Sequence, residues 1–214
     1  ETRVAKLELA ADGRIEGDVT ERLSGHRAEE YRAGEGEKAM EEQENQLKDR
    51  VSHMFARAEV SAIRISNVED FSKPVEIQYH LRAEFAQGTG KRLLIQPIAF
   101  RRAVASPFSS ASRRRAIDFR YAWAEVDQVT IRLPAGFVLD NPDAPANLNF
   151  GKAGGYEVRM TLNKATNELT TSRQLRFGDS GGTFFLPTDY AAVRKVFDDI
   201  HSRDTHSIAL KQAE

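Results

Sequence analysis

Val75, Ile77, Tyr79, Leu81, Ala83 and Phe85 are apolar at every second position, and Glu76, Gln78, His80, Arg82 and Glu84 fill the gaps between them. A helix would scatter such residues around its axis. Only an extended strand with one dry and one wet face separates them cleanly. The same period recurs at Ala5, Leu7 and Leu9, and after the turn signal Asp12-Gly13 at Ile15, Gly17 and Val19. It returns at Ile63 and Ile65, from Arg92 to Gln96, at Phe119, Tyr121 and Trp123, and at Val129, Ile131 and Leu133. Tyr156, Val158, Met160 and Leu162 carry it again, followed by Leu169, Thr171, Arg173, Leu175 and Phe177.

Three segments break the alternation with a helical period. Ala28 and Tyr31 belong to a short first helix. A longer one runs from about Glu37 to Phe55, with Met40, Leu47, Val51, Met54 and Phe55 near one face and Glu41, Glu42, Glu44, Lys48 and Asp49 on the solvated side. Pro187-Thr188-Asp189 opens the third, with Thr188 or Asp189 as N-cap and Tyr190, Val193, Phe197 and Ile200 on its buried face. Ser207 to Lys211 then forms a last strand. The expected fold is α+β and mainly antiparallel: about nine or ten strands in sandwich-like sheets, with two N-terminal helices and one C-terminal helix. Gln87-Gly88-Thr89-Gly90, Asp140 to Pro145 and Asn163 to Asn167 read as turns or loops. Between Phe100 and Arg120 the pattern lapses, which suggests a β-rich subdomain at 1–100 with a helical insertion near 26–55 and a second at 101–214 with its helix near 188–202, unless the two are continuous.

A net charge of −1 across 214 residues carries no basic excess of the kind nucleic-acid binders show. No apolar run approaches the roughly 20 residues that span a bilayer. Without an initiator Met or signal peptide, the sequence reads as a mature form or an excised piece. Cysteine is absent, which removes disulfides, thiolate metal ligands and a thiol nucleophile together.

The sharpest chemical motif is Gly178-Asp179-Ser180-Gly181-Gly182, which resembles the nucleophile loop of chymotrypsin-like serine proteases. That chemistry needs a histidine base. His26 and His53 fall in charged helical sequence, and His80 shares a polar strand face with Gln78 and Arg82. A glycine-rich turn explains the motif with less. His201 and His206, with Asp198, Asp199 and Asp204 nearby, lack convincing metal-ligand spacing, and Glu69-Asp70 reads as turn chemistry. Arg101, Arg102, Arg113, Arg114, Arg115 and Arg120 could grip an acidic surface or phosphates, but fit a solvated loop or a seam between halves better. Trp123 at strand spacing reads as core.

Several features together give the chain a family resemblance. They are Asp12-Gly13 with Gly17, Gly25-His26-Arg27-Ala28 leading to Tyr31-Arg32, and Arg92-Leu93 before Pro97. Pro107-Phe108 with Arg113 to Arg115, Leu133-Pro134-Ala135-Gly136, and the ending with Phe185 to Tyr190, Phe197 and Asp204 to Leu210 complete the set. The chain resembles the C-terminal β-rich region of a bacterial family of exported transglutaminase-like proteins. Members carry a β-rich domain of unknown function, a papain-like transglutaminase core and a β-rich tail. The resemblance implies a periplasmic or extracellular, non-catalytic accessory domain that positions the core or binds an envelope protein or polymer. The family's Cys/His/Asp triad would lie upstream of Glu1 in the same chain, so no catalytic, cofactor or metal residue is carried over here. A serine hydrolase using the Gly178–Gly182 loop is the competing reading. A free-standing cell-wall-binding module is another, and would require Tyr121, Trp123 or Tyr156 to be exposed on one face.

Overall fold

The computed structural model describes residues 1–89, 91–140, 143–180 and 182–213. The strands in chain order are β1 (Thr2–Leu9), β2 (Arg14–Leu23), β3 (Ala56–Ser66), β4 (Val75–Glu84), β5 (Gln87–Thr89), β6 (Arg92–Ile95) and β7 (Ile117–Asp118). They continue as β8 (Trp123–Arg132), β9 (Phe137–Leu139), β10 (Leu148–Asn149), β11 (Gly154–Asn163), β12 (Glu168–Phe177), β13 (Phe184–Phe185) and β14 (Ile208–Gln212). The α-helices are α1 (His26–Tyr31), α2 (Met40–Met54) and α3 (Tyr190–Asp204).

Eight strands form one sheet in the order β10-β11-β12-β8-β1-β2-β4-β3. Each pair is antiparallel except β1 with β8, which run parallel. The N-terminal strand β1 thus lies at the centre of the sheet, beside a strand from the middle of the sequence. A four-stranded sheet, β5-β6-β14-β9, and a two-stranded one, β13-β7, complete an α+β, mainly antiparallel architecture.

The inward residues of the large sheet, among them Leu7, Ile15, Ile77, Leu81 and Ile131, pack with Leu47 and Val51 of α2 and with Leu93, Ile95, Ile208 and Leu210 of the smaller sheet. This is the sandwich that the alternation required. Two smaller clusters lie along α3. Ile200 joins Tyr156, Val158 and Leu175, while Tyr190 and Val193 join Phe108 and Ile117. Asp189 precedes α3, but its carboxylate accepts from Leu186 N at 3.0 Å and so closes a 3-10 turn at Pro187–Asp189 ahead of the helix.

Several expectations need correction. The alternation at Phe119, Tyr121 and Trp123 is not one strand: Arg120 takes φ 64°, Tyr121 N donates back to Phe119 O at 2.7 Å, and β8 begins only at Trp123. β3 starts at Ala56, one residue after α2, and not near Ile63; Arg57 and Ala62 at positive φ interrupt its pairing with β4, so its first half shows no period. Gln87–Thr89 forms a short strand where a turn was expected, and Gly90 of that turn lies outside the described residues. In the Asp140–Pro145 loop, positions 141 and 142 also lie outside them. Met40, placed by its period on the buried face of α2, opens the helix and is 52% exposed.

Gly17 shows how closely the central strands approach. It sits at φ +153° on the inward phase of β2, where a Cβ would fall 2.1 Å from the Lys6 carbonyl oxygen and 2.9 Å from Leu7 Cα. Gly17→Ala should therefore cost about 2 kcal/mol or more in a urea melt. Gly34→Ala, at a site with nothing within 4 Å and no positive φ, should be neutral or slightly stabilising.

Candidate functional site

The structure brings together a row of charges. Arg173 of β12, Asp127 of β8, Arg3 of β1 and Glu21 of β2 are register partners on four adjacent strands, alternating in sign across the sheet. All four are buried. Arg173 Nη1 lies 3.5 Å from Asp127 Oδ2, Arg3 Nη1 donates to Asp127 Oδ1 at 2.7 Å, and Arg3 Nε donates to Glu21 Oε1 at 3.1 Å. A helix closes each end, joined at one of them by β4. Asp204 at the foot of α3 accepts from Arg173 Nε and Nη2 at 2.7 and 2.9 Å, a two-toothed clamp. At the other end, Arg50 of α2 and the Tyr79 hydroxyl each donate to Glu21 at 3.0 Å.

These neighbours decide the protonation states. Burial works against the charged guanidiniums of Arg3 and Arg173, yet the carboxylates around them outweigh it and raise both pKa values. Burial would likewise raise the Glu1 carboxyl, but Arg3, Arg101 and Arg27 bring it down to about 2. Burial, then Glu21, pushes the Tyr79 phenol well above its ordinary value. Arg101 Nη2 lies 2.9 Å from Glu125 Oε2 but out of line for a hydrogen bond. A cavity of about 180 Å³ adjoins this end, walled by Trp123, Leu175 and Phe197 over Arg173, Glu125 and Asp204. Every nitrogen of the Arg173 guanidinium already donates to one of those carboxylates. The charges here hold one another.

The residues singled out in the sequence fall elsewhere. Ser180 is exposed, Asp179 pairs with Arg176 at 3.3 Å, and Gly178 at φ +86° donates to Ala153 O at 2.7 Å, while Gly181 lies outside the described residues. Among the described residues no hydrogen bond joins Ser180 to a histidine. His26 stacks on Tyr121, His53 contacts Asp49 O, and His80 sits between Asp18 and Glu16. His201 and His206 meet the separate carbonyls of Val104 and Asp143. Asp198 accepts from Ser106, Asp199 from Lys195, and Asp70 from Ser72, so these carboxylates serve local structure. Among the described residues no group of three or more histidines and carboxylates is placed to hold a metal ion.

The arginine cluster divides. Arg101 joins the buried charges, and Arg102 lies over the Phe85 ring at 5.1 Å and donates to Phe85 O, burial lowering its pKa. Arg113, Arg114, Arg115 and Arg120 are exposed and form no ion pair among the described residues. The three aromatics share no exposed face. Tyr156 is buried, Trp123 packs 4.7 Å from Phe177, and Tyr121 donates to Glu30.

The feature that sequence reasoning missed is a groove of about 1080 Å³ between the α1–α2 connection and the turn joining β3 to β4. α1 runs into a π-turn at Arg32–Gly36, a wider winding often found at functional sites. Arg32 is buried and donates to four carbonyls of the β3–β4 turn: Val68, Asn67, Asp70 and Lys73, at 2.8 to 3.1 Å. Its guanidinium lies 4.8 Å from the Phe71 ring. Gln43 fastens the other wall, donating to Lys38 O at 2.8 Å and Gly36 O at 3.4 Å while accepting from Tyr31. Ser72 and Lys73 hold the Asp70 carboxyl down at about 2. Only Arg32, placed one residue past the buried Tyr31 and opposite a loop 35 positions away, could have hinted at this site, and no local pattern reveals that distance.

Two measurements test these assignments. Arg173→Met leaves the buried Asp204 and Asp127, and Glu125 beside them, without their shared cation and should cost about 3–5 kcal/mol in urea unfolding. Arg173→Met combined with Asp204→Leu should cost less than Arg173→Met alone. For His80, the hydrogen bonds its ring donates to Asp18 and then to Glu16 outweigh burial and raise the pKa. Its stabilisation is therefore complete below the ordinary histidine value of about 6.5 and is lost as pH rises through the folded value. The Tm deficit of His80→Gln should be larger at acidic than at alkaline pH.

The structure described as that of a "putative protease" from Parabacteroides distasonis is similar with a TM-score of 0.47 and 13% identity, over 58% of this chain and 24% of that one. The chain thus spans about a quarter of that protein's length. No curated protein matches it. The pattern of DUF3858, a domain of unknown function with a solved structure, matches residues 91–210, from the start of the β6 hairpin strand through α3 to β14. With more than half of its length so matched, the chain belongs to the DUF3858 family.

Proposed function

We propose that this chain is a non-catalytic accessory domain of a transglutaminase-like protein. It works outside the cytoplasm, where it positions the catalytic core or engages an envelope partner. The observation that carries this reading is the use made of the buried charges. The only large set of desolvated carboxylates and guanidiniums among the described residues is spent on joining strands to helices, with its members donating to and accepting from one another. An active site keeps such groups poised toward a substrate; these are turned toward each other. The exposed Ser180, with each histidine engaged elsewhere, supports the same reading over the hydrolase. No helix among the described residues is long and apolar enough to cross a membrane.

The test is the intact mass and peptide map of the native polypeptide from its source cells. A chain well above 24.0 kDa with a Cys/His/Asp core ahead of Glu1 is the expected result, and a native species of 24.0 kDa would overturn it. In parallel, Ser180→Ala should leave stability within about 0.5 kcal/mol and leave any ester turnover unchanged. Loss of turnover in a stable variant would replace this reading with the hydrolase.

A further inference from the structure

Among the described residues, the groove beside α2 has unpaired carboxylates and apolar anchors but no unpaired cation. Glu37 and Glu69 line it and form no ion pair among the described residues. Its two basic residues are occupied, Arg32 with four carbonyls and Lys38 with Glu42 at 3.4 Å. Phe71 and Met40 line the same groove and are 77% and 52% exposed, apolar surface that a ligand seated there would remove from water. Both walls are held rigidly. Arg32 staples the β3–β4 turn from beneath, Asn67 Nδ2 donates across that turn to Pro74 O at 3.1 Å, and a Cβ on Gly36 would strike Val68 Cγ1 at 2.7 Å. A preformed cleft of this kind spares a ligand the entropic cost of ordering it.

We infer that this groove docks a basic segment of a partner protein, with an apolar side chain seated against Phe71 and Met40 and lysine or arginine facing Glu37 and Glu69. This deepens the accessory reading and rests on it, naming the chemistry of the partner. The cationic requirement follows from the rim. An acidic or neutral segment would leave two carboxylates uncompensated as it covers them, whereas a basic one pairs both and gains in on-rate.

The experiment is an NMR titration of the isotopically labelled 214-residue chain with a short peptide alternating lysine and leucine, beside one alternating glutamate and leucine. The expected result is saturable shifts confined to Ala33, Gly36, Val68 and Phe71 with the lysine peptide alone. Salt should weaken them. Glu37→Lys with Glu69→Lys, or Phe71→Ala, should each weaken binding by about tenfold or more. All three substitutions fall on surface side chains outside the buried charge row, and an unchanged amide spectrum away from the groove confirms that the variants are folded. No saturable shift, equal binding of both peptides, or binding indifferent to the variants would overturn the proposal. Concentration-dependent dimerisation abolished by Phe71→Ala, without peptide binding, would assign the groove to a second copy and overturn it too. Either failure would leave the accessory reading to the mass measurement on the native polypeptide.

Discussion

Charge pairing across β12, β8, β1 and β2 is the interaction on which the rest of the structure depends. Each of the four residues sits in the inward phase of its strand, where neighbours two positions away are Ala5, Val19, Val129 or Leu175. A slip of one residue in any pairing would send one charge to solvent and strand its partner in the interior. The sign alternation therefore fixes register in a way that interchangeable apolar residues do not. It also goes with the strand order: β1 contributes Arg3 between Asp127 and Glu21 by lying between β8 and β2. Replacing the whole row with fitted hydrophobics could leave the protein as stable. What the charges supply is specificity of pairing.

The row also joins parts of the apolar interior. At its Glu21 end the row meets Tyr79 of the large cluster and Arg50 of α2; at its Arg173 end it meets Asp204 at the foot of α3. Asp204 ties the foot of α3 to Arg173, and Tyr156 donates to the same carboxylate at 2.7 Å, so the helix is anchored by a buried polar contact as well as by Ile200. Asp127, Arg173 and Asp204 lie within the DUF3858 match, whereas Arg3 and Glu21 lie before it. Detached from β1 and β2, the matched segment would hold Asp127 without its 2.7 Å partner. The N-terminal strands complete the electrostatics of the family region.

Most long strands were legible because their burial is one-sided: β4, β11 and β12 follow the alternation almost residue for residue. Legibility failed where another influence took over. Positive φ at Arg57 and Ala62 hid half of β3, and β9, β10 and β13 are too short to show a period. Arg173 was read on the buried phase of its strand, but Arg3, Glu21 and Asp127 were not, although each shares a phase with apolar neighbours. A charge in that phase usually signals a break in the pattern, and only the fold supplies the partner that makes it tolerable. The groove was harder still. Arg32 meets carbonyls 35 to 41 positions away, and Met40 looks like a core residue until the helix is seen to start there.

Inside and outside, the same kinds of residue are used in opposite ways. Buried arginines and carboxylates are matched partner to partner, which suits an element whose task is to keep its shape. On the surface the balance separates by region. Among the described residues, Arg113, Arg114 and Arg115 form no ion pair on one loop, and Glu37 and Glu69 form none around a cleft. Unmatched charge on a flat, solvated loop is weakly held and strongly screened. Beside exposed phenylalanine and methionine in a rigid concavity, the same charge is partly shielded from water, and its attraction for an opposite charge grows as a ligand excludes the rest. Geometry, more than charge count, therefore favours the acidic groove over the arginine loop as the surface where a partner's identity is read.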